Sequence, residues 1–205
     1  MSDQQNTSKL SESKRQQIID GARDVFMAKG FAAASMEQIA KAAGVSKGTL
    51  YNYFENKEML YVALIQGECC KSEQHELPEH FSETSPEQVL EQIGQQWLIS
   101  LLDPQQRALF RTVLAEALHF PQLGQAIEHN GPAIAHANLA RYLAHLNDTG
   151  LLNVSDTALA SEQFFALCDA GIVRKMQLSV AEPTAEVIKR QVSSAVVVFL
   201  KAYRS

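Results

Sequence analysis

An all-α fold in two parts is what this sequence predicts, and three observations carry the prediction. Residues 35–54 hold two helix starts separated by a glycine, each with its own cap. Elsewhere apolar residues recur at three- and four-residue spacing, and nothing reads as a strand-rich domain. The stretch Ala195-Val-Val-Val-Phe-Leu200 is apolar all round a helix, so its whole circumference has to be covered.

The first helix is expected over Ser13–Lys29, with Ile18, Ala22, Val25 and Phe26 on one face and Gly30 just past its end. Ser35 and Gln38 have capping-box spacing and open the second helix. Gly44 ends it where the backbone needs a positive φ. Ser46 caps the third helix, and Val45 is set to staple onto Leu50. Ala40 is small where the two helices cross, while Ile39, Ala43, Leu50 and Phe54 supply apolar contact. Asn56 caps a fourth helix carrying Leu60, Ala63, Leu64 and Gly67, and the polar stretch 71–86 with its two prolines reads as a loop. Five or six helices follow: from Thr84 or Ser85 to Leu102, 104–120, 121–129, 132–147, 156–178 and 184–202. The total is about nine to ten. The expected domains are 1–56, an N-terminal arm with the three-helix unit, and 57–205, a larger helical unit.

Composition narrows the function. The chain of 205 residues is 46% apolar and 20% charged, with six prolines and ten glycines, which is ordinary globular usage. With no apolar run of 18 residues and a polar opening, a cytoplasmic protein without membrane contact is expected. Cys69, Cys70 and Cys168 have no metal-ligand spacing, so reduced thiols are the expectation. The histidines at 75, 80, 119, 129, 136 and 145 form neither H-E-x-x-H nor a cysteine–histidine pattern, and no phosphate loop or nucleophile elbow is present. No catalytic residue, metal or cofactor is therefore expected. The net charge of −5 divides unevenly: residues 9–57 carry eight basic and five acidic side chains, leaving the acidic excess to the remainder. Phosphate affinity depends on such a local basic face rather than on the whole-chain sum.

A short helix, a glycine turn and a second helix with a polar first turn form the geometry that enters a DNA major groove. Lys47, Gly48 and Thr49 occupy that first turn behind the cap Ser46. Thr49 has a hydroxyl for a phosphate or base edge and a methyl for thymine. Gly48 either lets the backbone approach DNA closely or accommodates packing. Tyr51 and Tyr53 lie too far apart around the helix for both to be core, and Asn52 faces a base or solvent. Ser35 and Met36 begin the second helix, where free N–H groups favour an anion. Lys9, Lys14 and Arg15 sit on the N-terminal arm, within reach of a phosphate or a minor groove, or simply solvated.

The runs Met36-Glu-Gln-Ile-Ala-Lys-Ala-Ala-Gly44, Val45-Ser-Lys-Gly-Thr-Leu-Tyr-Asn-Tyr-Phe54 and Glu55-Asn-Lys-Glu-Met-Leu60 resemble the TetR family of bacterial one-component transcription regulators. With residues 18–31 the resemblance covers the first sixty positions. It implies that Tyr51 faces DNA, that Tyr53 sends its hydroxyl to a phosphate, and that Lys57 faces the DNA backbone. It also implies a homodimer on a palindromic operator, with the last two helices building a four-helix bundle. Ser161, Phe165, Ala195, Val198 and Phe199 are the interface candidates.

A looser resemblance over 105–152 implies a helical unit that encloses a small-molecule effector and lowers DNA affinity when occupied. Candidate wall residues are Trp97, Phe110, Leu114, Glu116, His119, Phe120, Phe164 and Cys168, although for the apolar ones, His119 and Cys168 core packing is the preferred explanation. For Glu116 a pairing with Arg107, Arg111 or Arg141 is the preferred explanation. A repressor is the implied default, an activator with the same helices the alternative, and a nonspecific DNA-coating protein a distant third, since that role asks for a far more basic chain.

Overall fold

The computed structural model describes residues 2–70 and 84–204, with side chains described from residue 11 onward except at 69 and 70. Most of the expected 71–86 loop, His75, His80 and the side chains of Lys9, Cys69 and Cys70 lie outside the described residues. Among the described residues eleven helical segments follow one another: α1 (Ser2–Lys29), α2 (Met36–Ala42), α3 (Lys47–Tyr53), α4 (Lys57–Cys70), α5 (Pro86–Leu102), α6 (Pro104–Glu116), α7 (Pro121–Asn130), α8 (Pro132–Asp148), α9 (Thr157–Asp169), α10 (Ile172–Gln177) and α11 (Ala185–Tyr203). Among the described residues no strand forms; Leu152 and Arg204 make one isolated bridge. No described helix is long and apolar enough to cross a membrane.

The all-α reading holds, with local differences. Helix α1 begins at Ser2, not near Ser13, so Lys14 and Arg15 stand on a helix and not on an arm. Helix α6 ends at Glu116, short of the expected 120. The single helix expected over 156–178 is two, because Gly171 adopts φ +77° and turns the chain between α9 and α10. A left-handed residue cannot continue a right-handed helix, and glycine adopts that conformation without a Cβ penalty.

The chain divides into two compact units, Met1–Lys71 with Ala108–Glu128, and Ser72–Arg107 with His129–Ser205. In the first, α1 packs on α2 and α4, and α2 on α3. Ile18, Ala22 and Phe26 of α1 meet Ile39 of α2, Leu50 of α3 and Leu60, Tyr61 and Leu64 of α4 in one apolar cluster, joined by Leu109, Val113, Leu123 and Ala126. Tyr61 stands edge-on to Phe26 and Phe31, at centroid distances of 4.8 and 5.1 Å. Helix α1 comes so close to the end of α2 that a Cβ on Gly21 would lie 2.6 Å from the backbone nitrogen of Ala43. Gln17 Nε2 donates to the Ala43 carbonyl at 2.6 Å and fixes the same crossing.

In the second unit α11 packs on α5 and α9, and α8 on α9. Its core runs through Leu90, Ile93 and Trp97 of α5, Leu139 and Tyr142 of α8, Phe164, Phe165 and Cys168 of α9, and Val192, Val196 and Phe199 of α11. Gly94 lets these helices meet: a Cβ there would sit 2.8 Å from Val192 and 3.0 Å from the Cys168 sulfur. This core changes the expectation for the interface candidates. Ser161, Phe165, Ala195 and Phe199 are buried by their own chain, at 3% exposure or less, and only Val198 of the five is open, at 50%. The helical pattern required that residues 195–200 be covered; the chain itself buries 195, 196, 199 and 200 and leaves Val197 and Val198 open.

Candidate nucleic-acid interface

The two short helices α2 and α3 are held by their caps before any tertiary contact is counted. Ser35 Oγ accepts from Gln38 N–H, and the Gln38 side chain accepts from Ser35 N–H, both at 3.3 Å. The reciprocal pair leaves the Met36 and Glu37 N–H groups of the first turn unused within the helix. Met36 itself turns its side chain into the core, so what it can offer an anion is its backbone N–H. Gly44 takes φ +64° as expected, and Val45 N–H bonds back to the Ala40 carbonyl at 3.0 Å.

Ser46 Oγ accepts from Thr49 N–H at 3.0 Å and also shares a hydrogen bond with Thr49 Oγ1 at 2.8 Å. The Thr49 hydroxyl is therefore oriented by the cap, yet keeps capacity for one more partner. Leu50 is fully buried and Phe54 nearly so, which anchors α3 by one face. The opposite face carries Lys47, Gly48, Tyr51 and Asn52, all exposed, while Tyr53 is half-buried against the core. Tyr51 leaves 46% of its surface open. A Cβ on Gly48 would meet nothing nearer than Ser46 Oγ at 3.8 Å, in ordinary contact. The fold itself therefore has no need of glycine at 48, and packing accommodation falls away as its explanation.

Lys57 takes a different place from the one expected. Its ammonium donates to the carbonyls of Phe31, Ala32 and Ala34, at 2.7, 3.2 and 3.2 Å, and lies 4.4 Å from the centroid of the Phe31 ring. An ammonium has three N–H donors, so all three are spent on the turn that leads into Ser35. Lys57 thus ties the start of α4 to the entrance of α2. At the other end of α4, Glu68 pairs with Arg23 of α1. Arg15 reaches over the Phe54 ring at the end of α3, 5.4 Å from its centroid. Gln17, Gly21 and Arg23 were not among the site candidates. Only Gly21 carried a sequence signal, a glycine inside a helical pattern.

The effector candidates divide between the units. Trp97, Phe164 and Cys168 lie in the core of the second. Phe110, Leu114, Glu116, His119 and Phe120 belong to the first, where Phe120 stands edge-on to Phe31 at 5.2 Å and Leu114 and His119 are exposed. The arginine partner expected for Glu116 is otherwise engaged at two of three positions: Arg107 pairs with Glu182 at 2.5 Å and Arg141 donates to Asn138.

Comparison with known proteins agrees with this geometry. The profile of the bacterial regulatory proteins of the tetR family matches residues 18–64, and that of the AefR-like transcriptional repressor C-terminal domain matches residues 88–205. The HTH-type transcriptional regulator SrpR of Pseudomonas putida is 32% identical over 122 residues, 60% of this chain and 47% of SrpR. The match thus spans about half the length of that relative. A TetR-family transcriptional regulator from Mesorhizobium loti superposes with TM-score 0.85 at 27% identity, covering 95% of this chain and 98% of its own. The flavonoid-responsive regulator FrrA also gives 0.85, at 32% identity, covering 94% and 98%.

Proposed function

Because the chain belongs to the TetR family of DNA-binding transcriptional regulators, we propose that it is a sequence-specific repressor released from a palindromic operator by a small molecule. One observation carries the DNA-binding part. Helix α3 is rigidly capped and anchored, yet presents Lys47, Tyr51 and Asn52 outward, with an unforced glycine between them. Residues 1–56 form the reading domain and 57–205 the regulatory one. Ser35, Met36, Ser46, Thr49 and Tyr53 frame phosphate contacts, while Lys57 positions the α2 entrance. A palindrome asks for a two-fold dimer, with half-sites about 34–36 Å apart. Open apolar residues on α9 and α11, namely Leu159, Val187, Val197 and Val198, support a second copy there. The repressor reading is supported by the name of the matched C-terminal family, and an aromatic-lined effector site around Trp97, Phe164 and Cys168 by the flavonoid response in the name of FrrA. The role is a cytoplasmic, non-enzymatic one.

Footprinting of the purified protein on its host DNA tests the reading, with Tyr51→Ala as control. A discrete protected palindrome that Tyr51→Ala abolishes is the expected result. Uniform protection, or protection indifferent to Tyr51→Ala, overturns it. A reporter placed behind that palindrome then separates repressor from activator: deletion of the regulator raises expression for the first and lowers it for the second.

A further inference from the structure

We propose that Asp169, bonded to Trp97 at the edge of the aromatic cluster that Trp97 forms with Phe165 and His136, is the anchor for an organic cation, which makes the effector of the regulator proposed above a positively charged one. This deepens that reading and rests on it. Asp169 is the last residue of α9, where the helix presents its carbonyl ends. A carboxylate is repelled there, and Lys, Arg or His is the favourable occupant. Asp169 is also half-buried, and no cationic group pairs with it among the described residues. Its one hydrogen bond comes from Trp97 Nε1, at 2.8 Å to Oδ1. Burial pushes its pKa up, against the opposing effect of the Trp97 bond. A carboxylate thus stands where burial and the helix dipole both disfavour it, and the described residues supply no ion-pair partner for it.

The surroundings say which cation would supply the missing charge. Phe165 lies one turn earlier on the same face of α9. Its ring centroid is 4.6 Å from that of Trp97, and the ring of His136 from α8 stacks on it at 5.0 Å with 18° between planes. Aromatic faces attract cations, most strongly where water is excluded. A calcium or magnesium ion would require several oxygen ligands, and one carboxylate beside an aromatic cluster does not provide them. An ammonium or similar nitrogen cation on an apolar body satisfies both the carboxylate and the rings.

The chain has a single tryptophan, so Trp97 fluorescence reports directly on the site. Full-length protein is titrated with benzyltrimethylammonium, with its neutral carbon isostere neopentylbenzene, and with the neutral flavonoid naringenin. The expected result is saturable binding of the cation at least tenfold tighter than the isostere. Asp169→Asn keeps an acceptor for Trp97 Nε1 while removing the charge; it should weaken cation binding at least tenfold and leave the isostere unchanged. Equal binding of cation and isostere overturns the proposal. So does an unaltered cation affinity in the variant, binding of naringenin alone, or no saturable cation binding into the millimolar range. Should Asp169→Asn fail to fold by circular dichroism, the wild-type preference for cation over isostere decides alone. The protected DNA fragment separates the two readings. DNA binding without a cation response refutes the charged effector and leaves the regulator; cation binding without any protected fragment does the reverse.

Discussion

The helix-turn-helix of residues 35–54 and the cluster around Trp97 both hold polar groups among apolar ones, but in opposite settings. On α3 these groups are exposed, each helix end is capped within four residues, and the departures from local preference, Gly48 and the open Tyr51, lie on the surface. Around Trp97 the departure is interior: a carboxylate at the wrong end of a helix, half-buried, bonded to a residue 72 positions away. The comparison teaches that an exposed polar face on a short helix is built from local motifs, whereas an interior polar contact is assembled by tertiary packing from residues that share no motif.

The largest effect should come from breaking the support beneath the reading surface. Lys57→Met removes three charge-assisted bonds to the 31–34 turn and should cost about 2 kcal/mol of stability, read from denaturant unfolding. The salt dependence of operator binding should keep its slope, because these donors are not on phosphate. Loss of about one unit of slope with no change in stability would instead return Lys57 to the DNA backbone. Tyr51→Ala acts on the surface alone: operator affinity should fall by about 1–3 kcal/mol with the melting curve unmoved. A large stability loss in Tyr51→Ala would mean that the exposed ring is part of the fold, and the contrast between surface and support would collapse.

How much of this could be read from the sequence follows the same divide. Caps, the Gly44 turn and the Asn56 start were legible because each is decided within about four residues; Asn56 Oδ1 does accept from Met59 N–H at 2.8 Å. The break at Gly171 was masked by apolar spacing that runs on through Ile172 and Met176. Periodicity required that Phe165, Ala195 and Phe199 be covered but could not say by which chain, and α5 and α8 turned out to supply much of the cover. Lys57 reads locally as a surface lysine at the start of a helix. Only the fold brings it to carbonyls 23 to 26 residues earlier.

Asp169 offers a smaller test, from inside. Its folded pKa is raised by burial above the ordinary carboxylate value of about 3.9. A carboxyl that binds its proton more tightly when folded is a cost to stability above the folded pKa. The cost disappears as pH falls toward the unfolded value. Asp169→Asn should therefore melt higher than wild type at pH 7, and the gap should close on acidification through that window. A variant that melts lower at pH 7 would mean that the carboxylate is a structural partner of Trp97 and not a charge held for a ligand.

Gly48 gives the smallest effect on the fold and the sharpest contrast between fold and function. A glycine within a helix costs about 0.5–1 kcal/mol relative to alanine, through the entropy of the unfolded chain. At 48 nothing offsets that cost inside the protein, since its φ is ordinary and a Cβ would find only Ser46 Oγ at 3.8 Å. Gly48→Ala should therefore raise stability slightly while weakening operator binding, because the added methyl stands where the backbone has to approach DNA. Gly21→Ala is the counter-case: its Cβ would collide with Ala43 backbone, so stability should drop, and DNA binding with it. If Gly48→Ala instead leaves operator affinity intact, the first turn of α3 does not meet the duplex closely, and the exposed face of that helix would have to be assigned to another partner.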